Sequence, residues 1–114
     1  MTSDDFRRLA LNLPLVTEAK HQGHPDFRVG GKIFATLGYP DKAWAMVKLS
    51  PKLQELLVNS EPNVFIPVKG AWGLRGATSV LLRRARRTAV HKALTEAWHN
   101  AASNKLKRQI DFRE

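Results

Sequence analysis

The chain has 114 residues, a usual single-domain length, and a chain of this size hides roughly two-thirds of its unfolded surface on folding. Hydrophobic residues make up 43% of it, which excludes a disordered tail, and the absence of cysteine excludes disulfides, thiolate nucleophiles and sulfur-held metals. The formal net charge is +9, and it is unevenly spread: residues 1–61 carry eight Lys/Arg against seven Asp/Glu, residues 62–114 eleven against three.

Three helices are expected. The first is capped by Thr2 or Ser3, has Asp4 and Asp5 in its first turn, and carries Phe6, Leu9, Ala10 and Leu13 along one stripe until Pro14. The second opens on Ser50 as cap and Pro51 at the first helical position, with Leu53, Leu56 and Leu57 as its buried face. The third starts near Thr88 and presents Val90, Leu94, Ala97, Trp98 and Ala101.

Five strands are expected between them. Asp26 to Val29 and Lys32 to Leu37 flank Gly30-Gly31, a pair suited to a type I′ or II′ hairpin. In the second of these, Ile33, Ala35 and Leu37 alternate with Phe34 and Thr36. Ala43 to Leu49 puts Ala45, Val47 and Leu49 on one face and Trp44, Met46 and Lys48 on the other. Val64 to Val68 and Thr78 to Leu82 follow, the first assigned to an edge by Pro67. The order predicts one α+β domain over residues 1–114, a two-layer sandwich of an antiparallel sheet with helices on one face.

No enzyme motif assembles. His21 and His24 form H-x-x-H beside Asp26, but Pro25 opposes a helix there and no glutamate lies between the histidines, so no metal site is assigned. No serine sits in G-x-S-x-G. The expectation is a non-enzymatic protein without catalytic residues or cofactor. The start of the chain lacks the basic patch and apolar run of a secretion signal, and no apolar run approaches the ~20 residues that span a bilayer. A cytoplasmic monomer with no membrane partner is expected.

Two segments carry the positive charge. Lys69-Gly70-Ala71-Trp72-Gly73-Leu74-Arg75-Gly76 places two cations and a planar ring among three evenly spaced glycines. Cations of this kind meet phosphates, and an exposed tryptophan can stack on a base. The structural alternative is a hairpin loop with Trp72 folded back over the core. Arg83, Arg84, Arg86 and Arg87 form the second segment, suited to backbone neutralisation rather than base reading. Arg28 and Lys32 bracket the glycine hairpin. These nine residues (Arg28, Lys32, Lys69, Trp72, Arg75, Arg83, Arg84, Arg86 and Arg87) are the candidate contacts to nucleic acid, with double-stranded DNA as the leading ligand. The alternative is a small-molecule or protein-interaction module using an aromatic pocket near His24, Phe27, Trp44 and Trp72.

The run His24-Pro25-Asp26-Phe27-Arg28-Val29-Gly30-Gly31-Lys32-Ile33-Phe34-Ala35-Thr36-Leu37, then Trp44 to Leu49, resembles the MmcQ/YjbR family of small bacterial proteins. Val68 to Gly73 and the helix through Ala93-Leu94 and Ala97-Trp98 extend the resemblance over nearly the whole chain. It implies a CyaY-like (frataxin-like) fold and a DNA-binding role through two β-wings, and it brings no catalytic residues. Iron binding on that fold uses an acidic ridge around the first helix and strand. Here that helix offers only Asp4 and Asp5 beside Arg7 and Arg8.

Overall fold

A computed structural model describes residues 1–109; the expected domain span runs on to residue 114. Helix α1 covers Ser3–Leu11. Its N-cap is Thr2, whose hydroxyl accepts from the Asp5 amide at 3.1 Å while Asp5 Oδ2 accepts from the Thr2 amide at 2.9 Å. This reciprocal box satisfies two orphan donors of the first turn. Phe6, Leu9, Ala10 and Leu13 are buried, as the stripe predicts.

A six-stranded antiparallel sheet follows, in the order β1-β2-β3-β4-β6-β5. Its strands are β1 (Thr17–His21), β2 (His24–Val29), β3 (Lys32–Leu37), β4 (Trp44–Lys48), β5 (Phe65–Pro67) and β6 (Ala77–Leu81). Strand β1 lies outside the sequence expectation. Its composition, Thr-Glu-Ala-Lys-His, has no apolar alternation, because it is an edge strand with little to bury. The turn that makes it is Gln22-Gly23, with φ of 52° and 82°. Gly30 and Gly31 join β2 to β3 with φ of 58° and 79°, so both hairpins have the positive-φ pair of a type I′ turn. Strand β5 occupies the other edge, where Pro67 costs no ladder bond.

The alternation expected in β3 is broken by a bulge. Phe27 pairs with Ala35 and Arg28 with Ile33, which leaves Phe34 without an opposite partner. The extra residue shifts the phase, so Phe34 and Ala35 both enter the core while Ile33 and Thr36 face the other way.

Helix α2 (Pro51–Ser60) has the expected Ser50 cap and Pro51 start, but its inward face is rotated from the expected one. Gln54 is buried, whereas Leu56 is 58% exposed. The helix lies against the edge strand β5, and its inward position is used for hydrogen bonding. After α3 (Ala71–Leu74) and a 3-10 turn over Leu82–Arg84, helix α4 (Arg87–Ala101) crosses β3 and β4 with Val90, Ala93, Leu94, Ala97 and Trp98 buried. Trp98 Nε1 donates to the Pro14 carbonyl at 2.8 Å, tying α4 to the segment after α1. The short α5 spans Asn104–Gln109. Helices α1 and α4 therefore cover one face of the sheet around a continuous apolar core, the α+β sandwich the sequence predicts.

Candidate nucleic-acid interface

Strand register decides which charged side chains meet. Lys48 ends β4 opposite Ala77, the first residue of β6, and Val47 lies opposite Ala35 of β3, so that Lys48 runs toward the start of β3. One end of the sheet thus gathers the Gly30-Gly31 hairpin, the end of β4, the β5–β6 connection that carries α3, and the C-terminus of α4. Two depressions open there. The larger, about 410 Å³, is lined by Arg28, Gly31, Lys32, Ile33, Lys48, Asn100 and Ala101. The smaller, about 150 Å³, is lined by Lys48, Leu49, Trp72, Arg75, Ala77 and Asn100. Lys48 and Asn100 belong to both, so the two form one trough.

The electrostatics of the trough are one-signed. No Asp or Glu lines it. Asp26, its nearest carboxylate along β2, is 1% exposed and held by Arg28 through Nε–Oδ1 at 2.9 Å and Nη2–Oδ2 at 3.1 Å. The hydrogen bond to Asp26 and the charge beside it raise the Arg28 guanidinium further above its ordinary value. Lys48 Nζ lies 5.0 Å from the centroid of the Trp72 ring, a cation–π contact. Among the described residues Lys32, Lys48, Lys69 and Arg75 form no ion pair. Helix α5 adds Lys105, Lys107 and Arg108 near the hairpin, since Leu106 would stand 3.7 Å from a Cβ on Gly30.

The segment bearing Trp72 and Arg75 is the connection of the β5–β6 hairpin, as expected, and it contains a docked turn of helix. A Cβ on Gly73 would strike the Val68 carbonyl oxygen, and one on Gly76 the Leu49 carbonyl oxygen. Close backbone packing therefore explains these two glycines. Gln54 Nε2 donates to the Gly73 carbonyl at 3.0 Å and to the Ala77 carbonyl at 2.9 Å, clamping the turn and the start of β6 to α2. Trp72 does not fold over the core: it is 53% exposed on the rim of the trough.

Of the nine residues chosen from sequence, the trough brings together Arg28, Lys32, Trp72 and Arg75. Lys69 is exposed on the same connection without lining it. Arg83, Arg84, Arg86 and Arg87 do not join them. They sit where β6 leaves the sheet and α4 begins at Arg87, so about 20 Å of helix separates them from Asn100. Arg86 pairs with Glu61 at 3.4 Å and Arg87 with Asp5 at 3.7 Å. The nine candidates thus form two surfaces, because β6 and α4 carry the chain from one end of the sheet to the other and back.

The aromatic residues of the alternative reading are also dispersed. Phe27 is wholly buried, His24 meets Tyr39 with ring centroids 5.7 Å apart, and Trp44 lies opposite Leu81 at the end of β4 remote from Lys48 and Trp72. His21 and His24 face each other across the β1–β2 hairpin, and among the described residues no three His, Cys, Asp or Glu side chains cluster as metal ligands. Three residues of the site went unselected in the sequence. Lys48 was signalled by its alternation with Trp44 and Met46; Gln54 and Asn100 carry no local signal.

Known proteins resemble this chain in fold and family. No curated protein matches its sequence. The crystal structure of a Deinococcus radiodurans protein with a DUF419 domain superposes with a TM-score of 0.75 at 16% identity, covering 95% of this chain and 86% of that one. That likeness is one of fold. The YjbR family model matches residues 11–100, a span that takes in the β2–β3 hairpin, Trp98 and every lining residue of the trough but Ala101, and the chain belongs to the YjbR family.

Proposed function

We propose that this protein is a non-enzymatic nucleic-acid-binding domain whose binding surface is the trough at the hairpin end of the sheet. The observation that carries the reading is convergence: Arg28 and Lys32 of the β2–β3 hairpin, Lys48 of β4 and Arg75 after α3 come from three separate stretches of the chain to one acid-free surface beside an exposed tryptophan. Cations on a low-lying surface lined by no acid, with Lys32, Lys48 and Arg75 outside any ion pair among the described residues, collect phosphates and release their counterions, a sequence-independent attraction. The two glycines at the apex of the hairpin present no side chain to a base edge, which favours backbone contact over base reading. Arg83 and Arg84 belong to a separate basic surface and are not needed at the trough.

The test is fluorescence anisotropy of labelled DNA titrated with protein at about 50 and 200 mM salt. With roughly five phosphates neutralised, affinity falls several hundred-fold across that range. The double variant Lys48→Ala/Arg75→Ala should lower the salt slope by about two. Absence of binding at the lower salt would reject the proposal and leave the net charge of +9 as a determinant of solubility alone.

A further inference from the structure

Resting on that reading, we infer that the trough takes a single-stranded segment of nucleic acid, with one base stacked on the outer face of Trp72 and its flanking phosphates on Lys48, Arg75 and Arg28. Three features separate this ligand from a duplex.

The first is shape. Reading a duplex requires an element that projects into a groove, and the major groove is about 12 Å wide. At this end the hairpin tip carries no side chain, and the exposed Lys69, Trp72, Leu74 and Arg75 sit on a short turn held to the body of the protein. The β2–β3 hairpin ends in Gly30-Gly31, and the β5–β6 connection is held down where Gly76 packs on Leu49 and where Gln54 donates to the Gly73 and Ala77 carbonyls. The cations instead line a depression of about 410 Å³ that continues into one of about 150 Å³. A flexible strand can descend into such a trough, whereas the convex wall of a duplex meets only its rim.

The second is the ring. Trp72 is 53% exposed although Lys48 lies against it. In a duplex both faces of every base are occupied by neighbours, so a flat ring on a rim has nothing to stack on. An unpaired base presents an open face, and stacking of this kind tolerates any base.

The third is the position of charge relative to the ring. Lys48 lies 5.0 Å from the Trp72 centroid, Arg75 lines the same depression, and Arg28 and Lys32 line the next. Cations beside a stacking platform match a strand whose phosphates flank each base. Rigid support comes from Gln54, which holds the turn from beneath, and from Asn100, whose Nδ2 donates to the Lys48 carbonyl at 3.3 Å.

The experiment compares a labelled oligothymidylate of about 15 nucleotides, within the range of single-fold site sizes, with a mixed-sequence duplex of equal length, at low salt. The single strand should bind at least roughly tenfold more tightly. Trp72→Ala should weaken single-strand binding by about 5- to 150-fold, the equivalent of one lost base stack, and weaken duplex binding by less. Trp72→Phe, which keeps a ring, should retain most of the affinity and guards against a folding defect in the alanine variant. Equal affinity for both ligands, or a Trp72→Ala variant with unaltered single-strand affinity, overturns the stacking inference while the phosphate-binding reading stands. Binding of neither ligand overturns both.

Discussion

Gln54 joins stability to the site through one side chain. Its amide is buried, and both its hydrogens are used on carbonyls of the connection that carries Trp72 and Arg75. Gln54→Leu keeps much of the volume and strands two carbonyls, so the expected loss is about 1–3 kcal/mol in urea unfolding. Because the turn is held from that point, the same variant should also weaken nucleic-acid binding at temperatures where it remains folded. Asp5 acts at the opposite end of the molecule. Its hydrogen bonds from the Thr2 backbone and hydroxyl hold its carboxyl below the ordinary value, with Arg87 adding to the effect. A depressed folded pKa contributes stability above the unfolded value, about 4, and that contribution is lost as pH falls through the folded value. The melting temperature should therefore drop between about pH 5 and pH 3, and Asp5→Asn should show a smaller drop over the same interval.

At the scale of elements, the turn of helix α3 and the bulge in β3 shape the trough. Gly73 has no space for a Cβ, since the Val68 carbonyl oxygen stands in its place. Gly73→Ala must move backbone, and a destabilisation above about 2 kcal/mol is expected. Gly31 contrasts with it: nothing lies within 4 Å of its would-be Cβ, and only its φ of 79° opposes a side chain. Gly31→Ala should cost about 1–2 kcal/mol. Chemical denaturation of the two variants side by side tests whether close packing or turn conformation dominates each site. The bulge has a different consequence. By letting Phe34 and Ala35 both face the core, it turns Ile33 to the side of Arg28 and Lys48, where it forms part of the trough floor.

Over the whole molecule, the positive charge divides between two ends of the sheet. The trough end holds Arg28, Lys32, Lys48 and Arg75 with no lining acid, whereas Arg86 and Arg87 at the other end are partly offset by Glu61 and Asp5. Exposed pairs of that kind contribute little to stability, but they lower the local field. If the trough is the binding surface, Arg83→Ala/Arg84→Ala should leave the salt slope unchanged while Lys32→Ala/Lys48→Ala reduces it, a comparison made by the same anisotropy titration. A reduction by both pairs would indicate that the two ends bind together.

The sequence by itself determined the three longest helices and most of the strands. Caps such as Thr2 and Ser50, the proline at position 51, and the stripe from Val90 to Trp98 act within one or two turns of chain, so they are legible locally. The glycine pair of the β2–β3 hairpin and the proline in the edge strand are legible for the same reason. The polar edge strand β1 was not, because an edge buries too little to impose a pattern. Only the tertiary structure decided that Lys48 and Asn100 join Arg28 and Trp72, that Gln54 lies beneath the turn, and that the arginine cluster stands apart. Those relations depend on strand order and register, which are set by burial of residues far apart in the chain, and a periodicity confined to neighbouring residues carries no record of them.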